Sequence, residues 1–104
     1  MNYFDLIRQW AADRNLIEGS SPEKQMLKLS EEIGELAAGL ARGNDLAVID
    51  GIGDAVVVLT ILAAQKGFVI EACIDAAWQE IKDRRGRMVD GVFIKEVDLQ
   101  ELPL

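Results

Sequence analysis

Residues 45–66, DLAVIDGIGDAVVVLTILAAQK, place apolar side chains in nearly every helical direction, with Asp50 and Asp54 as the charges inside the run. The stretch outlasts any ordinary buried strand. Asn44 or Asp45 at its start suits a helix N-cap, and Gly67 after it suits a helix end. The run Val56, Val57, Val58, Leu59 favours strand locally, but the length and the terminal glycine favour helix, and packing overrides the low helix propensity of valine. Such a helix has no polar face to offer water, so the remainder of the fold must be built around it. A bundle of 104 residues covers it incompletely, so a homodimer or homotetramer built partly on this helix is expected. The longest unbroken apolar run, residues 55–64 with one Thr, is shorter than the about 20 residues of a bilayer span, and no membrane partner is expected.

Around it, the pattern predicts three more helices. Tyr3, Phe4, Leu6, Ile7, Trp10 and Ala11 recur at spacings of three and four, an amphipathic helix over residues 2 to about 14. Ser21-Pro22 reads as an N-cap followed by proline at the first helical position, with Glu23 near the positive dipole end. That second helix carries Met26, Leu29, Ile33, Leu36, Ala37 and Leu40 as its apolar set and should stop at Arg42-Gly43. The fourth, predicted over residues 70–85, puts Ile70, Cys73, Ile74, Ala77, Trp78 and Ile81 on one face. Asp90-Gly91 between short apolar runs signals a tight hairpin turn, and the acidic last residues are expected to be mobile. The expected fold is all-α, a four-helix bundle with a short C-terminal hairpin or extended tail, in one domain over residues 1–104.

Charge narrows the function. A net charge of −7 with no His argues against a partner that is a nucleic-acid polymer, which demands clustered cations against its phosphates. The single Cys permits no intrachain disulfide, and its apolar surroundings point to a small buried residue in a reducing compartment, so the chain reads as cytoplasmic. The N-terminus interleaves charge with apolar residues and lacks the order of a secretory signal. Nucleophilic catalysis has little to work with: Cys73 lies on an apolar face, and Ser20 and Ser21 suit capping.

The remaining chemistry is carboxylate chemistry. At helical pitch Glu31, Glu32 and Glu35 fall within roughly a 100° arc, and Asp50 and Asp54 lie about 40° apart on the next helix. Facing each other on antiparallel helices, these oxygens would converge on one divalent cation, and oxygen-only ligation suits Mg²⁺ or Mn²⁺. Each has a plainer account. The glutamates fit a solvated face, although Glu31 and Glu35 repel at i,i+4. Asp50 fits the dipole of the third helix. Asp54 lies about ten residues into that helix, beyond the dipole's reach, and needs a metal, a basic partner or a water-filled cleft. Gly34, Gly51 and Gly53 each cost about 1 kcal/mol in a helix, a cost offset if they allow two backbones to approach, or if they mark a crossing without a site. Lys82, Arg84, Arg85 and Arg87 suit either phosphate or the negative end of the fourth helix. Lys28 suits either a metal-held phosphate or an i,i+3 pair with Glu31. Trp10 and Trp78 are expected in the core. Metal-activated water is the hydrolytic option these residues leave.

The order Glu31-Glu32-x-Gly34-Glu35-Leu36, then Gly53-Asp54 inside an apolar helix, resembles the MazG-like nucleoside triphosphate pyrophosphohydrolases of the all-α NTP pyrophosphatase superfamily, whose pattern is EExxE followed by ExxD. Pro22-Glu23-Lys24-Gln25, Val57-Val58-Leu59-Thr60-Ile61-Leu62 and Glu80-Ile81-Lys82-Asp83-Arg84 add to a likeness with the phage and mobile-element type, over roughly residues 16–96. The resemblance implies Mg²⁺-dependent hydrolysis of (d)NTPs to the monophosphate and pyrophosphate. It implies Glu32, Glu35 and Asp54 as metal ligands, with Glu31 a further ligand or the base that activates water, and Lys28, Lys82 and Arg85 as triphosphate contacts. The first Glu of ExxD falls on Gly51, and Asp50 is the nearest carboxylate to take its place. A module that binds metal and nucleotide without turnover, and a helical interaction protein with a merely acidic surface, are the alternatives.

Overall fold

The computed structural model describes residues 2–99. Within the stretch read as one domain, the chain divides into two compact units, Met1–Cys73 and Ile74–Leu104. The first holds three helices and the start of a fourth. In α1 (Tyr3–Asp13) the Asn2 side chain caps the first turn, accepting from the Asp5 N–H at 3.0 Å. The second helix, α2 (Pro22–Ala41), opens as its sequence predicts, with Ser21 Oγ accepting from the Lys24 N–H and Pro22 at the first position. It closes at Gly43, where φ is +66°. The third, α3 (Asp45–Gln65), is capped by Asn44, whose side-chain oxygen accepts from the Ala47 N–H at 3.2 Å, and ends before Gly67 at φ +79°. Residues 56–59 are thus helical. At 21 residues α3 also reaches the length of a bilayer span, which residues 55–64 alone do not.

The two long helices run antiparallel and close together. A Cβ added to Gly39 would meet the Ala47 Cβ at 3.0 Å, and one added to Gly51 would meet the Leu36 Cβ at 3.0 Å. Gly34 and Gly53 have open space where a Cβ would stand, so the close approach assigned to them belongs to Gly39 and Gly51 instead. The approach sets the rotation of α2. Its inward seam is Gln25, Leu29, Glu32, Leu36 and Gly39, at spacings of four and three, with Gln25, Glu32 and Gly39 buried and the two leucines half-buried. Met26, Ile33 and Leu40, expected inside, are 52%, 49% and 64% exposed. Two backbones separated by little more than glycines leave no width for those larger side chains, which turn outward.

The interior is small: Ala11 from α1, with Val58, Ile61 and Ala63 from α3, are its buried apolar residues among those described. Thr60 is enclosed with them, and its hydroxyl donates to the Val56 carbonyl at 2.7 Å. Gln65 Nε2 donates to the Leu16 carbonyl at 3.2 Å, tying the end of α3 to the connection after α1. Arg8 of α1 grips Glu71, at the start of α4 (Ile70–Ile81), through two hydrogen bonds of 2.6 and 2.8 Å and holds Asp5 at 2.6 Å. This fork keeps the Glu71 carboxyl below its ordinary value of 4.5. A lowered carboxyl contributes stability that is present above the ordinary value and lost as pH falls through the lowered one. Glu71→Gln should therefore melt below wild type at pH 7, with the gap closing below about pH 4.5, as thermal melts across pH would record.

No residue of α4 is buried. Trp78 and Trp10, expected in the core, are 55% and 45% exposed, the latter with the Arg14 guanidinium 4.5 Å above its ring. Cys73, expected to be buried, is exposed. The helix also stops at Ile81 rather than residue 85, because the Arg85 carbonyl accepts from the Glu96 N–H at 2.8 Å and so joins the hairpin. Lys82, Arg84, Arg85 and Arg87 therefore follow the helix and are not its last turn.

The second unit contains that hairpin. Strands β1 (Gly86–Val89) and β2 (Val92–Lys95) pair antiparallel with Val89 opposite Val92. Asp90 and Gly91, at φ +50° and +80°, make the two-residue turn that their sequence predicts. Of the acidic ending expected to be mobile, Glu96 and Asp98 sit in a single helical turn, α5 (Glu96–Leu99). Residues 100–104 lie outside the described residues. The chain is thus mainly helical, with four helices of more than one turn or two and a small C-terminal hairpin.

Candidate metal site on the paired helices

The seam between α2 and α3 separates two unlike sides. Lys28, Glu31 and Glu35 each precede a seam residue of α2 by one position, a rotation of about −100°. On α3, Asp50 precedes the buried Gly51 by one and Asp54 follows it by three, which is nearly the same rotation. Because the helices are antiparallel, equal rotations bring both sets to the same side. Rotation the other way brings Met26, Ile33, Ala37 and Leu40 of α2 together with Ile52 and Leu59 of α3. One side is ionic and the other apolar.

Glu32 is the centre of the ionic side. It is 5% exposed, which excludes for this residue the solvated face that was one of the two accounts of its arc. Its Oε1 is 3.2 Å from Lys28 Nζ, and its Oε2 is buried with no hydrogen-bond partner. Lys28 also reaches Glu31 at 3.7 Å. Across the seam the half-buried Asp54 comes close enough to Glu32 for the two carboxyls to act on each other. Asp54 is raised above its usual range, first by burial, then by the charges of Asp50 and Glu32, with Lys28 opposing. Lys28 in turn is raised by its bond to Glu32, then by the Glu32 and Glu31 charges and, more weakly, by Glu35.

These facts put Glu32 and Asp54 together, with Asp50, Glu31 and Glu35 within electrostatic range. The expected gathering of four or five oxygens at one point is not formed: among the described residues no three His, Cys, Asp or Glu side chains enclose an ion position. The donor chemistry nevertheless fits a hard divalent cation. A buried carboxylate oxygen without a partner costs free energy until something positive meets it, and Mg²⁺ characteristically takes one or two carboxylates while keeping water or phosphate on its other positions. Exposed side chains such as those of Glu31 and Glu35 are free to turn toward such an ion.

Gly51, at the position where the MazG-like pattern that the sequence resembles has Glu, is buried against Leu36. A glutamate there would enter the helix contact, so the carboxylate near Asp54 is Asp50, on the adjacent open position. The basic residues divide. Lys28 belongs to the site, whereas Lys82 and Arg85 belong to the second unit, where Arg84 pairs with Glu80 at 3.4 Å and Arg85 lines a surface pocket with Arg87 and Phe93. The burial of Glu32 and the role of Gly39 escaped the reading of apolar stripes. The four-three spacing of Gln25, Leu29, Glu32, Leu36 and Gly39 was the available signal, masked because two members are polar and one has no side chain.

In comparison with known proteins, the chain is 54% identical over 59 residues, 57% of its length, to an uncharacterised 18.2 kDa protein of the rep-hol intergenic region of Haemophilus phage HP1 (strain HP1c1). It spans 36% of the length of that relative. No protein-family model and no solved structure matches the chain.

Proposed function

We propose that this chain is a MazG-like, Mg²⁺-dependent nucleoside triphosphate pyrophosphohydrolase that converts (d)NTP to (d)NMP and pyrophosphate and acts in the cytoplasm. The observation that carries the reading is the interior Glu32 carboxylate, half unpartnered and with its charge felt by Asp54 of the facing helix. Glu32 and Asp54 would hold Mg²⁺, or Mn²⁺ in its place, with Glu35 and Asp50 completing the set from the rim. When bound, the ion would screen phosphate oxygens and make water a better nucleophile near neutral pH. Lys28 lies on the same side to attract the triphosphate. Glu31, 67% exposed at its side chain, is the base that receives the proton of the attacking water, being outside the buried pair. Incubating the chain with Mg²⁺ and a panel of ordinary and modified triphosphates should release pyrophosphate. Release of single phosphate, or of nothing, sinks the proposal. A second reading, a module that holds metal and nucleotide without turnover, is favoured by Gly51, and stabilisation by nucleotide without product would identify it.

A homodimer or homotetramer belongs to the same proposal. Ile49, Ile52, Val56 and Leu59 of α3 are 68%, 54%, 38% and 39% exposed, beside the exposed Met26, Ile33 and Leu40. Contiguous apolar surface of several hundred Å² marks an interaction site. Ile52→Lys should shift the chain to monomer in analytical ultracentrifugation; a wild-type monomer at ~100 µM, above the micromolar affinities common for interfaces of ordinary size, would refute self-association.

A further inference from the structure

We infer that Lys28 is a resident counter-ion of the acidic site, which a divalent cation must displace in order to bind. The inference rests on the ion-binding reading above and concerns what neutralises the site beforehand. Lys28 reaches Glu32 Oε1 at 3.2 Å and Glu31 at 3.7 Å from the preceding turn of their own helix. The ammonium therefore occupies oxygens that the ion would use without any rearrangement of the fold. It satisfies only part of the site, for Glu32 Oε2 remains buried and unpartnered. A doubly charged ion seated against the same carboxylates would stand within a few ångströms of the ammonium, and like charges at that separation repel. Lys28 is free to yield: its side chain is 55% exposed, and its flexible four-carbon stem lets the head move into water. Once displaced it remains on the ionic side, where its three donors meet phosphate oxygens arriving with the nucleotide. One residue thus acts first as a stand-in for the metal and then as a ligand of the anion that accompanies it.

The test is Mn²⁺ titration of the full chain by calorimetry near neutral pH. Lys28→Met keeps the stem and removes the charge, and should tighten Mn²⁺ binding by about threefold to fivefold, the upper end of the scale of one half-exposed charge pair. Lys24→Met, one turn earlier and without an ion pair among the described residues, removes the same charge from the same helix and should change binding less than about twofold, as a screened, more distant charge does. Unchanged or weaker binding in Lys28→Met overturns the inference and leaves the ion site standing. Equal tightening in both variants also overturns it, since the effect would then be that of net charge. If neither wild type nor Lys28→Met takes up Mn²⁺, the ion site itself is wrong and the inference falls with it.

Discussion

Asp54→Asn is expected to lower Mg²⁺-dependent pyrophosphate release by about 10²–10³-fold, the loss typical of removing one preorganised electrostatic group from an active site. The same change should raise the melting temperature of the ion-free protein. Both follow from one arrangement. Asp54 is held above its ordinary value of 3.8 by burial and by its acidic neighbours. A raised carboxyl contributes stability that is complete below the ordinary value and is lost as pH rises through the raised one. Above its raised value the charged Asp54 therefore burdens the fold, and asparagine removes the burden while keeping the shape. The gain should be at most about 1 kcal/mol for a half-exposed charge, or roughly 4 °C, and should vanish in acid, where wild type is protonated too. Glu35→Gln should lose activity without that gain, because Glu35 is exposed. Circular dichroism melts with and without Mg²⁺, beside a pyrophosphate assay, read all of these. Lower ion-free stability in Asp54→Asn would make Asp54 a structural residue.

The second large effect concerns the position where the chain departs from the MazG-like pattern it resembles. Gly51→Glu restores ExxD in sequence, yet it is expected to damage the protein. A Cβ at this position meets the Leu36 Cβ at 3.0 Å and its Cα at 3.3 Å, atoms fixed to the facing backbone that have nowhere to swing. Overpacking of this kind costs about 1–3 kcal/mol, and a carboxylate forced into the contact adds its desolvation. A fall in melting temperature of more than about 10 °C is expected. Gly51→Ala should fall far less, because alanine's better helix propensity, about 1 kcal/mol, offsets part of the crowding. If Gly51→Glu instead folds normally and speeds pyrophosphate release, position 51 is an open ligand position, and Asp50 is no substitute for it.

The elements were legible in sequence wherever local chemistry decides. Ser21-Pro22, Asn44 and Asp90-Gly91 each act within a few residues, and each stands where its pattern implies. The rotation of α2 was not legible, because apolar size points to Met26, Ile33 and Leu40 while the packing follows Gly39 and Gly51. That choice, made between two helices, determines which glutamate is interior. Sequence therefore identified the acidic arc but not Glu32 as its buried member, and it put Lys28 beside Glu31 without its closer partner. The end of α4 was overestimated for a similar reason: a backbone hydrogen bond from Glu96 to Arg85 competes with the helix from ten residues away or more, and helix-ending signals do not report such competition.

The turn at Arg42, Gly43 and Asn44 has a kinetic consequence. It joins the two longest helices by a very short link, so the contacts that assemble the ionic side are among the nearest in chain order that a helical protein allows. Contacts of low sequence separation require little loop closure and form early. The antiparallel pair should thus appear in the first folding event, with the α1 contact added afterwards, and substitutions at Gly39 or Gly51 should slow refolding more than substitutions at Ala11.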